Sequence, residues 1–344
     1  MAMLADAVHD VAAASARLKG SVGHQERRRR VFANFLRFVR DAGALTRSIP
    51  EIPPSMVHAY AAHCVVQGMA PGHLENIFSA IRVVFRAMGK DIGRTCSNRQ
   101  LGLPHRSRKG TRRAQSPGEI EALIERAKRI DQGLALLIPL ARNLGLRRKE
   151  ALMCGKDLQM WYDALTSGKT VLEVLRGCKG GRHRQVEILE DRRAQTIEVI
   201  AAALAYARAH NYELITGRAG TLKSAMNRFT ALLRKAGMVG EKSFHSLRYG
   251  FALQLALQIL DRGVSPYDTL VRLSASLGHG PSRVAMVCNV YCQPIAHLFK
   301  GCLAAAKRQR RSPGPATKLP RAAARLAAKL RHARLSGFPV GRMD

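Results

Sequence analysis

The sequence predicts a mainly α-helical protein with one small β-hairpin, arranged as a helical N-terminal domain followed by an α+β domain. Three observations carry this. Apolar residues recur at helical spacing over most of the chain, strand-like alternation is confined to two short runs, and a basic stretch without acids divides the chain near residue 100. At about 150 residues per domain, 344 residues suggest two. An apolar fraction of 47% is enough to give each a core.

After a short helix expected over 6–19, Val31, Phe35 and Phe38 recur at helical spacing behind the run Arg27, Arg28, Arg29 and Arg30. Met56, Tyr60 and Cys64 mark a second amphipathic stretch, and Ile77, Ile81, Val84, Phe85 and Met88 a third. Pro50, Pro53 and Pro54 separate the first pair of helices, and Gly68, Pro71 and Gly72 the second. Residues 1–92 are therefore expected to form the helical domain. Over 93–115 the chain reads as a basic linker, with seven Lys or Arg and no acid between Arg94 and Arg113. Such a linker is either a solvated connection or a strand laid against phosphates, and its charge favours the second. Ser116-Pro-Gly-Glu119 has the pattern of a capping box with proline at the first helical position, and opens a second domain over 116–302. That domain is expected to be helical except for strands at 171–175 and 185–189, joined by a glycine-rich basic tip over 176–184. Helices follow over 192–210, 221–236, 245–260 and 267–276. The tail, 303–344, is basic, and an Ala/Leu/Arg helix is expected over 321–335.

With 57 Lys and Arg against 24 Asp and Glu, the net charge is +33, which calls for a polyanionic partner. Aromatic residues are only 5% of the chain, too few for single-strand stacking platforms, so double-stranded DNA is the expected ligand. The longest apolar run, 134–141, contains Pro139 and falls far short of the roughly 20 residues of a membrane span. The N-terminus lacks the basic and apolar regions of a secretory signal, so a membrane or exported protein is not expected. Seven cysteines without a CxxC pair suit a reducing cytoplasm and neither a disulfide framework nor a zinc ribbon. Cys288 and Cys292, near His279 and His297, read as a packed helical pair and not as metal ligands.

Four segments carry candidate chemistry. Gly145-Leu-Arg-Arg-Lys-Glu150 places Arg147 at a helix start, where its planar fork can meet a phosphate and Glu150 can brace it; alone, the segment reads equally as an ordinary charged helix. Lys179 sits on the hairpin tip, either solvated or placed to give a proton to a leaving oxygen. In Phe244-His-Ser-Leu-Arg248, His245 and Arg248 are three apart and share a helical face. Leu277-Gly-His279, with Tyr291 downstream, is a capped helix end and a packed tyrosine unless the other segments join it.

Taken in order, Arg147, Lys179, His245, Arg248, His279 and Tyr291 resemble the catalytic set of the tyrosine recombinases, the phage-integrase family. "GLRRKEAL" is similar to the family's first-arginine motif, "CKGGRHRQVEI" to its hairpin lysine motif, "HSLRYGFA" to its His-x-x-Arg box, and "LGH" with a later tyrosine to its last segment. Tyr249 stands where the family most often has a second histidine. The resemblance covers about residues 15 to 300 and implies a SAM-like core-binding domain ahead of an α+β catalytic domain. It also implies a site-specific recombinase or integrase of a mobile element. In that chemistry Tyr291 attacks phosphorus to form a 3′-phosphotyrosyl link and Lys179 protonates the leaving 5′-oxygen. Arg147 and Arg248 clamp the phosphate, while His245 and His279 add hydrogen bonds and His245 assists at the tyrosine. No cofactor or metal is implied, and a homo-oligomer, a tetramer on paired DNA sites, is. A type IB topoisomerase-like enzyme and a non-catalytic DNA-binding family member are the competing readings.

Overall fold

Helix α1 (Val22–Asp41) turns Phe32, Phe35, Leu36 and Val39 to one side, and all four are fully buried. Its basic residues Arg27, Arg29 and Arg30 stay exposed on the other. The structure is a computed structural model that describes residues 22–106 and 113–303. The helix expected over 6–19, the middle of the basic linker (107–112) and the tail beyond 303, with its expected helix over 321–335, lie outside the described residues. Two compact units are present, Met1–Thr111 and Arg112–Asp344.

In the first unit, α2 (Pro54–Val66) and α3 (Pro71–Ala87) both begin at a proline, whose missing N–H costs nothing in a first turn. Their buried residues repeat at three and four: Val57, Tyr60, Ala61 and Cys64 on α2, and Leu74, Ile77, Phe78, Ile81, Val84 and Phe85 on α3. Aromatic edges lock the core, with Phe32 5.5 Å from Phe35 and 5.7 Å from Phe85 between ring centroids. The expected linker does not begin freely at residue 93. Cys96 and Leu101 are buried in this same core, and Arg82 donates to the Cys96 carbonyl at 2.8 Å, so an apolar anchor on each turn holds the segment down despite its charge.

The second unit opens on the Ser116 capping box. The Glu119 amide donates to Ser116 Oγ (3.3 Å) and the Ser116 amide to Glu119 Oε2 (2.9 Å), starting α4 (Pro117–Lys128). Helix α5 (Gln132–Leu144) is the central element, with Leu134, Leu137, Ile138, Ala141 and Leu144 completely buried. A short α6 (Arg148–Met153) and α7 (Leu158–Thr166) lead to the sheet, and the Trp161 indole on α7 donates to the Glu173 carbonyl at 2.7 Å. Strands β1 (Val171–Val174) and β2 (Arg184–Glu187) pair antiparallel, with Val171 opposite Glu187 and Val174 opposite Arg184. Arg184 therefore belongs to the ladder, not to the hairpin tip where the sequence reading put it. It shares the inward face with Val186, because alternation from the core residue Ile188 carries back through it. The unit continues with α8 (Arg193–Arg208), α9 (Leu222–Lys235), α10 (His245–Asp261), α11 (Pro266–Ser276) and α12 (Val284–Tyr291). Helix α5 packs between α8 and α10, and α11 packs on β2 and α12. Cys288 and Cys292 are both buried, as a packed pair should be. No described helix is long and apolar enough to cross a membrane.

Candidate active site

Arg147 is placed by the end of α5. Gly145 closes that helix in the left-handed region (φ 56°), and a Cβ there would run into the Phe251 ring. The chain then turns so that Arg147 caps α6. Glu150, one turn in, accepts the Arg147 amide at 2.8 Å and its Nη1 at 2.5 Å. The other arm, Nη2, donates to the Leu277 carbonyl at the end of α11 (2.6 Å). The side chain keeps 20% of its surface open to solvent.

Arg248 comes from the first turn of α10 and is wholly buried. Its two terminal nitrogens donate to the Gly145 and Leu277 carbonyls, so both arginines share Leu277. Its Nε is buried without a hydrogen-bond partner. Burial, then the charge of Arg184, push its pKa down to about 10, which leaves it cationic at neutral pH.

Tyr291, the last residue of α12, lies over this arginine, its ring centroid 5.9 Å from the guanidinium carbon. The phenol oxygen is 3.5 Å from His279 Nε2 and 3.5 Å from His245 Nε2. Tyr249 walls this group, with its ring 5.0 Å from His245 and 5.3 Å from Tyr291 between centroids. The α11 end is shaped by Gly278 (φ 58°), where a Cβ would stand 2.9 Å from Arg184 Cδ and 3.2 Å from Arg147 Nη1. Burial, then the charges of Arg248, Arg147, Lys179 and Arg283, push the His279 pKa down to about 4, so its imidazole is neutral at pH 7.

Five of the six residues read from the sequence thus converge. Lys179 is exposed on the turn Lys179–Gly181 and shares no hydrogen bond with the other five among the described residues, although its charge reaches His279. A cleft of about 460 Å³ lies between this hairpin and the loop after α11, lined by Arg182, His183, Gly278 and His279 among others.

Arg184 is the residue that motif reading passed over. Its Nη2 donates to Glu150 Oε2 at 2.8 Å, and its side chain is 1% exposed. Burial raises the Glu150 carboxyl, but Arg184 by charge and hydrogen bond, then Arg147 and Arg248, outweigh it and hold the pKa at about 2. The signal was present in the alternation: an arginine in register with Val186 on the buried face of a strand needs a buried anion. Three guanidinium groups around one carboxylate leave a net positive pocket beneath a phenol held between two imidazoles. This arrangement suits an attack by the phenol on a bound phosphate diester. Among the described residues, no group of three or more His, Cys, Asp or Glu is placed to hold a metal ion.

Residues 102–254 match the family model described as "Integrase". In fold, the chain is similar to the XerH site-specific recombinase bound to palindromic difH substrate in a post-cleavage complex (16% identity, 90% of this chain and 96% of that chain, TM-score 0.53). It is also similar to the Tn1549 transposon integrase in complex with a circular intermediate DNA (17%, 87% and 99%, TM-score 0.53). A lambda integrase tetramer bound to a Holliday junction is a third neighbour (17%, 82% and 76%, TM-score 0.52). No protein of curated function matches the sequence at a significant level.

Proposed function

We propose that this chain, a member of the tyrosine recombinase (phage integrase) family, is a site-specific DNA recombinase serving a mobile element. It cleaves and rejoins duplex DNA through a covalent 3′-phosphotyrosyl intermediate. The observation that carries this reading is the Tyr291 hydroxyl, held between His245 and His279 over the guanidinium of Arg248.

The phosphate of a DNA strand enters beside Arg147 and Arg248. An orphaned buried donor costs about 1–3 kcal/mol, and Arg248 Nε is such a donor, which a phosphate oxygen would satisfy. Both guanidinium groups are fixed before substrate arrives, so the charge gathering on the phosphoryl oxygens meets dipoles that need no reorganisation. Tyr291 Oη attacks phosphorus and its proton passes to His245. The bond from phosphorus to the 5′-oxygen breaks, and Lys179, brought in with its hairpin, gives that oxygen a proton. His279, kept neutral, supports the reaction as a hydrogen-bond partner without adding charge. Attack by the 5′-hydroxyl of a second duplex reverses the step, so the bond energy is retained without ATP.

The net charge of +33 fits duplex DNA as the partner, within the cytoplasm where such DNA lies. The working unit is a homo-oligomer, a tetramer on two paired sites, by analogy with the lambda integrase tetramer on its Holliday junction. The test is a nicked suicide substrate carrying the element's own junction, resolved on a denaturing gel. Wild-type protein forms a covalent adduct and Tyr291→Phe forms none while still binding. An adduct persisting in Tyr291→Phe would place the nucleophile elsewhere.

A further inference from the structure

The buried cation on β2 belongs to none of the roles above, and it ties the hairpin both to the turn that carries Arg147 and to the end of α11. Arg184 Nε and Nη2 donate to Glu150 Oε2 at 3.3 and 2.8 Å, Nη1 to the Ser276 carbonyl at 2.5 Å, and Nη2 also to the Leu144 and Gly145 carbonyls at 3.3 and 3.1 Å. Two of these acceptors serve the phosphate-facing arginines as well. The Gly145 carbonyl takes Arg248 Nη1, and Glu150 takes the Arg147 amide and Nη1. Ser276 precedes Leu277, whose carbonyl holds both Arg147 and Arg248.

Burying a guanidinium is costly, and an apolar side chain of similar volume would fill the same space at less expense. What an apolar residue could not do is occupy Glu150. That carboxylate is fully buried, with Arg248 Nη1 standing 3.9 Å from Oε2, just outside hydrogen-bonding range. Were Arg184 absent, Oε2 would keep only the Arg147 amide as a donor and would draw in Arg248, the nearest remaining cation on that side. An arginine closed onto a carboxylate has both its geometry and its charge committed. We propose that Arg184 is a positioning residue for DNA cleavage: it takes up the Glu150 carboxylate and the Gly145 and Ser276 carbonyls, so that Arg248 keeps its placement and its charge for the scissile phosphate. The proposal rests on the recombinase reading.

The experiment measures single-turnover adduct formation at saturating protein on the nicked substrate, with either oxygen or sulfur at the bridging 5′ position. DNA affinity and the thermal unfolding midpoint are measured beside it. Wild type and Tyr291→Phe come first, because failure of the wild type to form an adduct sinks the recombinase reading itself and not this inference. With an adduct in hand, Arg184→Met should cleave about 10²-fold more slowly, the scale of a displacement near 1 Å at a reacting centre. DNA affinity should change little, and sulfur should not rescue the rate, since the loss lies in the phosphate clamp and not in protonating the leaving group. Arg184→Lys keeps one charge but not the fork, and should fall about tenfold on both substrates while unfolding near the wild-type temperature. Adding Glu150→Gln to Arg184→Met should recover part of the rate, because an uncharged amide does not capture Arg248. A merely structural arginine would show no such recovery. Wild-type cleavage by Arg184→Lys, rescue of Arg184→Met by sulfur, or no gain in the double variant would each overturn the proposal. If Arg184→Met does not fold, the Arg184→Lys rates on the two substrates decide the matter.

Discussion

The two units bury side chains to opposite ends. In the first, α1 to α3 close over Phe32, Phe35, Tyr60 and Phe85, whose rings meet edge-on or tilted, and whatever order that core has comes from area removed from water. In the second, a larger apolar core surrounds a pocket where Glu150, Arg184 and Arg248 are 0%, 4% and 0% exposed. Area cannot account for that pocket, since each of these charges is expensive to desolvate and is tolerated only because the others are there. One core is stable because its parts are alike, the other because its parts are mutually dependent. Substitutions in the first should therefore cost stability alone. In the second they should cost reaction rate out of proportion to stability.

The largest effect is expected at Arg248→Ala, which removes the buried cation beneath the Tyr291 ring. Adduct formation should fall about 10³-fold or more, the cost of losing at least one preorganised donor to a developing oxyanion. Loss of rate without a matching loss of DNA affinity in gel-shift titrations would support the contrast. Equal losses would make Arg248 a binding residue. Phe85→Ala probes the opposite unit, and should cost about 3–5 kcal/mol of stability by denaturant titration, as for other buried aromatic residues. Protein that remains folded and bound should cleave at the wild-type rate, and a slower rate per bound molecule would break the comparison. Lys179→Ala touches neither core. Cleavage should slow about 10²-fold and recover when the bridging oxygen is replaced by sulfur, whose thiolate leaves without a proton. Equal impairment on both substrates would remove Lys179 from proton transfer.

The smallest effect concerns His279. Its pKa is depressed from the usual 6.5 to about 4, so between these values the unfolded chain binds a proton that the folded chain does not. Stability from this group is present above pH 6.5 and is lost as the pH falls toward 4. Because the side chain is half-buried, solvent screens the effect, and a modest difference is expected. Thermal melts of wild type and His279→Gln across that window should converge at the acid end. A difference that widened there would mean the imidazole is protonated in the folded state.

Much of this was legible in one dimension because it is local. Helical periodicity marks α1, α2 and α3, and Phe35, Tyr60, Cys64, Ile77, Ile81, Val84 and Phe85 are buried as read, although α1 turns Phe32, Leu36 and Val39 inward and leaves Val31 and Phe38 half-buried; the Ser116 box needs only residues three apart. Arg147, His245, Arg248, His279 and Tyr291 are short-range motifs in a set order, so they could be singled out as a candidate set before their convergence was seen. Three things could not. Cys96 and Leu101 fold the start of a basic stretch into a core because Arg82 and the helices around them supply the other side of the contact. Lys179 stays apart from the other five because its position depends on a turn and not on a packed element. Arg184, buried and hydrogen-bonded to Leu144, Gly145, Glu150 and Ser276, owes its meaning to partners far away in the chain. Periodicity and motif order encode which faces are apolar and which side chains can react. Whether a charge is free, shared or captured depends on the distances among side chains that converge only when the helices pack, and for buried ions those distances set the energy.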